Sequence, residues 1–289
     1  MTIARQIPNR PVVIRCAALL VACACASAPS PCPTVPSAPG APPLLWRVEG
    51  PGGGAIWLYG TVHDTGADDV PPAVWPRLDA ATVFVSELGD EEPDAEAMNA
   101  LARLPWGQVL DRLLPADDWW DLVEAMLGAM TEDELRHARP WFALVRLHTR
   151  LVHAPRPSMD AALAEHARAR GIAVERLESW QEQLSALDAS VTPADLSRAI
   201  RGRRAVACQV AQLHAAYRSS DLAALARILV EPLRGAPLLA ERNRRWLPQI
   251  ERLVARGDGF VAVGLGHLLG ESGLTTMLAR AGYRVVRAP

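Results

Sequence analysis

Lysine is absent from this sequence of 289 residues, so all 30 of its basic side chains are arginines. That absence excludes a Schiff-base amine, the lysine of a phosphate-binding loop and a serine–lysine dyad. With 32 acidic side chains the formal net charge is −2, which disfavours a nucleic-acid-binding protein. Catalysis therefore has to use carboxylate, histidine, arginine, hydroxyl or thiol groups, or a metal ion.

Several common active-site signatures are also missing. The five cysteines include no C-x-x-C pair, so neither a thiolate zinc site nor a disulfide scaffold is expected. Cys208, on a predicted helix, is expected to be a buried small apolar residue. No H-E-x-x-H or G-x-S-x-G occurs, and the glycines of residues 264–270 are not spaced as in a dinucleotide-binding loop.

The first 43 residues are typical of an exported lipoprotein. Three arginines precede a short apolar run at residues 16–22, which is the order of regions in a signal peptide and is too short to span a bilayer. Leu20-Val-Ala-Cys23 resembles a bacterial lipoprotein box. We therefore predict a signal peptide at 1–22 and a lipidated Cys23, with a plain secretory signal as the alternative. The Pro- and Ala-rich segment 23–43 predicts an extended tether.

Residues 44–289 are predicted to form one α/β domain. Apolar runs bounded by turn residues predict strands at residues 44–49, 55–61, 82–86, 173–177, 259–263 and 283–287. Helical periodicity dominates the region between the first and last strands, and residues 193–218 predict a single helix. The aromatic residues predicted to lie in the helical core are Trp119, Trp120, Trp141 and Phe142. This order predicts a central mixed sheet with a large all-helical insertion.

Two segments of the sequence echo each other. Ile56-Trp-Leu-Tyr-Gly-Thr-Val-His63 and Phe260-Val-Ala-Val-Gly-Leu-Gly-His267 each run from an apolar strand into G-x-x-H. A glycine at a strand end permits a sharp turn, and ligands bind open α/β sheets at the carboxyl ends of their strands. We therefore predict two half-units of one sheet, with His63 and His267 converging at that edge.

The chemistry open to such a histidine pair includes metal binding. Glu87 ends the strand that follows His63, so it can add a carboxylate to the two imidazoles. Two histidines and a carboxylate form a ligand set for Zn²⁺ or Mn²⁺ that leaves a position for water. The bound ion would lower the pKa of that water and polarise a carbonyl group, which predicts metal-assisted hydrolysis. The alternative is that both histidines are structural.

These motifs together resemble the TraB/PrgY/GumN family, which includes the TIKI-type metalloproteases. The resemblance covers about residues 44–289 and depends on the motifs Gly60-Thr-Val-His63, Ser86-Glu87, Glu241-Arg-Asn243, Gly264-Leu-Gly-His267 and Gly282-Tyr-Arg-Val-Val. It implies a divalent-metal-dependent, peptidase-like site. His63 and His267 then take the role of metal ligands, and Glu87 is either the third ligand or the general base.

The resemblance also implies roles for residues on a helix near the carboxyl terminus. Arg242 corresponds to the family arginine and could pair with Glu87 or stabilise an oxyanion; the alternative is an exposed helical charge. Asn243 is expected to donate a hydrogen bond to substrate. Asp160 is similar to a family position, but a helix cap explains it equally well.

The sequence therefore predicts a divalent-metal-dependent hydrolase, acting on peptide or protein substrates and using Zn²⁺, Mn²⁺ or Co²⁺. Its predicted location is the periplasmic side of a membrane, at the outer membrane, with the lipid on Cys23 as anchor. The alternative function is a non-catalytic lipoprotein that binds haem or a peptide through the same histidine pair.

Overall fold

A computed structural model describes residue 32 and residues 41–89, 94–233 and 237–289. The predicted signal peptide at 1–22, the predicted lipid site at Cys23 and most of the predicted tether at 23–43 lie outside these residues. Within the described ranges, no helix combines the length and the apolar character needed to cross a membrane.

The described strands form one mixed sheet, as the sequence predicts. They are β1 (Leu45–Glu49), β2 (Ala55–Thr61), β3 (Val83–Ser86), β4 (Ala173–Arg176), β5 (Gly259–Gly264) and β6 (Arg284–Arg287). Their order across the sheet is β4-β3-β5-β2-β1-β6. The first four in this order are mutually parallel, whereas β1 is antiparallel to both β2 and β6.

The described α-helices lie mainly between β3 and β5. They are α1 (Trp75–Asp79), α2 (Ala95–Ala102), α3 (Ala116–Ala125), α4 (Glu132–Arg136), α5 (Pro140–Leu151), α6 (Met159–Ala169), α7 (Trp180–Ser190), α8 (Pro193–Gly202), α9 (Val206–Arg218), α10 (Leu222–Leu229), α11 (Pro237–Arg256) and α12 (Leu274–Arg280). Capping boxes at Ser179 and Thr192 stabilise the starts of α7 and α8. In each, the hydroxyl accepts a hydrogen bond from a backbone N–H that has no partner within the helix.

The buried side chains form two apolar cores. One surrounds the sheet, where Phe260 of β5 packs between Tyr59 and Phe84 of the neighbouring strands. Every residue of β5 is buried, as expected for a parallel strand covered on both faces. The second core lies among the helices and includes Trp141.

Trp120 corrects the predicted helical core. Its neighbour Trp119 is 4% exposed and packs in that core, but Trp120 is 58% exposed. The buried residues of α3 are Asp118, Trp119 and Leu122, and because successive residues point about 100° apart, Trp120 lies outside the face that these three share. Phe142 is only partly buried against the same core.

The predicted helix at 193–218 is also wrong as a single element. It is divided into α8 and α9 by a 3₁₀ turn at Arg203–Ala205. Gly202 ends α8, and glycine is a poor helix former. Arg203 stabilises the break, because its guanidinium donates to Asp121 of α3 at 2.8–2.9 Å and to the Ile200 carbonyl at 3.0 Å.

Cys208 differs from its predicted role as well. It lies on α9, is only half-buried and forms a disulfide bond with Cys32. The bond joins the predicted tether to the helical part of the domain across 176 positions of sequence. Sequence spacing alone carried no signal for this pair, because disulfide connectivity follows from the fold.

The hairpin between β1 and β2 provides a test of the packing between the sheet and α11. A Cβ atom on Gly54 would lie 2.1 Å from the Val254 carbonyl oxygen, whereas a Cβ atom on Gly52 would have no neighbour within 4 Å. We expect Gly54→Ala to lower the free energy of unfolding by about 1–3 kcal/mol, the usual cost of overpacking. Gly52→Ala is the matched control, and denaturant unfolding of both variants checks the difference. Equal stability of the two variants would show that this contact does not constrain the hairpin.

Candidate active site

The carboxyl ends of three parallel strands meet at one edge of the sheet. In the paired strands Thr61 of β2 lies opposite Gly264 of β5, and Ser86 of β3 lies opposite Ala262. The chain leaves these ends directly into the three residues predicted as metal ligands, His63, Glu87 and His267. The predicted convergence at the strand ends is therefore present.

The glycine that begins each G-x-x-H motif makes room for the other strand end. A Cβ atom on Gly60 would lie 2.4 Å from Cδ1 of Leu265 in the second motif. A Cβ atom on Gly264 would lie 3.2 Å from His63 Nε2 and 3.2 Å from Glu87 Oε1. Neither glycine has a positive φ. Glycine is therefore required at both positions because neighbouring atoms come close, and not because of the backbone conformation.

Arg242 lies buried between two carboxylates. Its Nη2 donates to Glu87 Oε2 at 2.6 Å and to Glu178 Oε1 at 2.5 Å, and its Nε donates to Glu178 Oε1 at 3.0 Å. Arg242 is 1% exposed, on the face of α11 that also buries Trp246 and Ile250. The predicted pairing with Glu87 is present, and the alternative of an exposed helical charge is wrong.

The two carboxylates have opposite pKa shifts. Burial by itself would raise the pKa of Glu87, but the Arg242 charge opposes it, and a hydrogen bond from the Gly264 N–H at 2.8 Å adds to the opposition. The net result is a Glu87 pKa well below its ordinary value. Burial dominates at Glu178 and raises its pKa, although Arg242 lowers it in part. Glu87 is therefore the firmly ionised partner of Arg242.

His267 is a neutral imidazole with a defined tautomer. Arg242 Nη1 lies 3.0 Å from His267 Nε2, and because arginine can only donate, Nε2 accepts. Nδ1 therefore carries the hydrogen and donates to Asn243 Oδ1 at 2.7 Å. Burial first, and then the Arg242 charge, lower the pKa of His267 to about 3.

Asn243 orients His267 and makes no contribution to the cavity wall. It is fully buried, and its amide nitrogen donates to the backbone oxygens of His267 at 3.0 Å and Ser272 at 2.7 Å. The amide group of Asn243 is therefore engaged within the protein, and its contact with substrate stays a prediction.

His63 is paired with Asp160. His63 Nδ1 lies 2.7 Å from Asp160 Oδ2, and the Thr61 hydroxyl donates to Asp160 Oδ1 at 2.6 Å. A carboxylate accepts hydrogen bonds, so Nδ1 carries the hydrogen and Nε2 is the basic nitrogen. Ser158 caps α6, not Asp160. The helix-cap explanation of Asp160 is therefore wrong, and its carboxylate belongs to the site.

A cavity that opens to solvent lies against this cluster. His63, Arg242 and His267 line one part of it, and leucine side chains line another. The side chain of His63 is 25% exposed, compared with 4% for His267 and 1% for Arg242. His63 and its partner Asp160, whose side chain is 28% exposed, are therefore the members of the site most open to solvent.

Comparison with known proteins identifies the family. The profile of the TraB/PrgY/gumN family matches residues 44–287, which is most of the chain. The chain belongs to the TraB/PrgY/gumN family. A search of curated proteins and a search of solved structures each gave no match.

In the site of this TraB/PrgY/gumN protein, the ligand atoms of Glu87 and His267 already accept hydrogen bonds from other residues. Glu87 Oε1 accepts from Gly264, and Oε2 accepts from Arg242 and Gln183. The His267 lone pair accepts from Arg242 as well. Among the described residues, no three His, Cys, Asp or Glu side chains are positioned to hold a metal. A metal bound through His267 Nε2 would have to replace the Arg242 hydrogen bond, and metal dependence stays a prediction.

Two residues of the site were missed from the sequence. Glu178 holds Arg242, and Gln183 Nε2 donates to Glu87 Oε2 at 3.1 Å. Glu178 lies just before α7 and Gln183 lies near the start of that helix. No sequence motif distinguishes either residue. The one available signal was that Glu178 directly follows the predicted strand at 173–177, as Glu87 follows the strand at 82–86.

The buried arginine gives a stability test for this TraB/PrgY/gumN domain. We expect Arg242→Met to lower the free energy of unfolding by about 3–5 kcal/mol, because it leaves Glu87 and Glu178 buried without their cation. Arg245→Met is the matched control on the same helix. Arg245 is 47% exposed and lies 3.8 Å from Glu178, so its loss should cost below about 1 kcal/mol. Denaturant unfolding compares them, and similar losses would refute the role given to Arg242.

Proposed function

We propose that this protein is a hydrolase that cleaves peptide bonds at the cavity beside His63. The observation that carries the proposal is the His63–Asp160 pair, whose imidazole lines the same cavity as the buried Arg242 at the carboxyl ends of parallel strands. A general base and a fixed positive charge are two groups that carbonyl hydrolysis needs. The choice of peptide substrates follows the family resemblance.

His63 acts as the general base in this proposal. Asp160 holds Nδ1–H, which directs the basic Nε2 to the side of Gly264 and Glu87. When Nε2 takes a proton from water, the Asp160 carboxylate stabilises the imidazolium that forms. Glu87 is less suited to this role, because a strongly lowered pKa makes a weak base.

Arg242 provides electrostatic stabilisation. The carbonyl oxygen of a peptide bond gains negative charge when water attacks, and a preorganised cation stabilises that charge. Nη1, which donates to the neutral His267 imidazole and the Leu238 carbonyl, is the donor that would shift to that oxygen. Glu87, Glu178 and His267 hold the guanidinium in place at the cavity wall. In this proposal these three residues position Arg242.

The proposed location is the periplasmic side of the outer membrane, with a lipid on Cys23 as the anchor. The disulfide between Cys32 and Cys208 supports export, because structural disulfides persist in oxidising compartments and are rare in the cytosol.

Asp160 provides the test of the general base. We expect Asp160→Asn to lower kcat/KM about 10²–10⁴-fold on a peptide library read by mass spectrometry, because the imidazolium loses its counter-charge. The matched control is Asp79→Asn, since Asp79 forms a His–Asp pair with His166 at the same 2.7 Å and similar exposure. Unchanged cleavage by Asp160→Asn would refute the role of the pair. Binding of peptides without cleavage by the wild type would favour the binding-protein alternative.

Metal dependence is tested separately. If a divalent ion is required, the full chain should lose cleavage after chelation and regain it with Zn²⁺, Mn²⁺ or Co²⁺. Elemental analysis should then find about one ion per chain in the wild type and none in His63→Ala. In that case His63 Nε2 would be a metal ligand in place of the general base. Cleavage at an unchanged rate after chelation would contradict metal dependence and leave the hydrolase proposal intact.

A further inference from the structure

The cavity beside His63 has an apolar wall that the proposed chemistry does not use. Four leucines line it and are defined here as the leucine pocket: Leu229, Leu238, Leu239 and Leu265. They come from three different elements, namely the end of α10, the start of α11 and the turn after β5. Each is at most 8% exposed, so the side chains are held by the core behind them.

The leucine pocket is continuous with the polar end of the cavity. Leu265 and His267 belong to the same 3₁₀ turn, and Leu238 lies one helical turn before Arg242 on α11. A carbonyl group placed beside Arg242 and His63 would therefore have an apolar recess within the same cavity. Sites of this kind, with a few polar groups and a largely apolar lining, fix the orientation of a bound ligand.

The polar side of the cavity, lined by His63, Arg242 and His267, is unfavourable for a charged substrate side chain. Arg242 is surrounded by acceptors: its Nε and Nη2 donate to Glu87 and Glu178, and its Nη1 donates to His267 and lies 3.5 Å from the Leu238 carbonyl. A substrate carboxylate would keep its full charge beside two buried carboxylates, whereas the oxyanion proposed at Nη1, whose acceptors are a neutral imidazole and a backbone carbonyl, exists only during the reaction. A substrate ammonium group would be buried among leucines without a partner, which is strongly unfavourable.

We propose that the leucine pocket is a specificity subsite that binds the aliphatic side chain of the substrate residue next to the cleaved bond. The proposal rests on the proposed function and adds the substrate class: peptides with an aliphatic residue, such as leucine, valine or alanine, at that position. Apolar contact with four leucines favours these side chains.

Gly266 provides a way to change the depth of the pocket. It lines the cavity, and a Cβ atom there would lie 3.6 Å from both Leu239 methyl carbons and 3.7 Å from Leu229 Cβ. These are ordinary van der Waals distances, and the φ of Gly266 is not positive. Gly266→Ala should therefore fold normally and place one extra methyl group at the leucine wall.

The test uses peptide pools of identical composition that differ in one fixed position, with the full-length protein. We expect wild-type cleavage to favour pools with leucine, valine or alanine over pools with aspartate or lysine at least tenfold. In Gly266→Ala we expect kcat/KM for the leucine pool to fall at least tenfold relative to the alanine pool, since one methylene group typically changes selectivity 10–200-fold. Gly52→Ala, at a glycine with open space around it, is the matched control.

A binding measurement separates this subsite from the proposed reaction. Saturation-transfer NMR with N-acetyl-leucine amide, compared with N-acetyl-aspartate amide, reports on the pocket without turnover. Binding of the leucine probe that Gly266→Ala weakens supports the subsite even if no peptide is cleaved. Cleavage or binding that shows no aliphatic preference, or that Gly266→Ala does not change, overturns the proposal. The absence of both cleavage and binding of the leucine probe also overturns it.

If Gly266→Ala does not fold, Leu239→Ala should shift the preference toward bulkier side chains, and an unchanged preference would refute the proposal.

Discussion

The ion-pair cluster of Arg242 with Glu87 and Glu178 is the constraint on which the rest of the site depends. A fully buried guanidinium is tolerable only when its donors meet acceptors, and here the acceptors come from the residue after β3, the segment before α7 and the turn after β5. The cluster therefore joins the sheet to α11 and to the helical core. It also fixes His267 in one tautomer, which in turn requires Asn243 to present its oxygen.

The sheet edge was predictable from the sequence because its physical signals are local. Apolar runs, the glycine-rich hairpin and the repeated G-x-x-H all depend on residues a few positions apart, and all six predicted strands are present. The convergence of His63, Glu87 and His267 followed from one general rule about strand ends. Family resemblance then singled out Arg242, and its spacing of four and eight residues from Trp246 and Ile250 was a local sign that it lies on the buried face of α11.

The remaining features depend on contacts between distant segments, and the sequence could not predict them. Glu178 and Gln183 matter because α7 packs against α11, and the disulfide of Cys208 depends on where Cys32 meets α9. The predicted burial of Trp120 was wrong because two adjacent aromatic residues do not indicate which of them faces the core. The Arg242 hydrogen bond to His267 is the most consequential of these contacts, because it occupies the lone pair that the sequence assigned to a metal.

The pairing of β2 with β5 has a consequence for the order of folding. These two central strands are joined by about 200 residues, and the site takes side chains from segments distributed over that whole span. Contacts of such long sequence separation form slowly, because the chain loses much entropy before the pairing stabilises it. The helical core can collapse from the middle of the chain alone, but the sheet cannot close until β5 is available. The cluster of His63, Glu87, Arg242 and His267 is therefore completed only after β5 has been made.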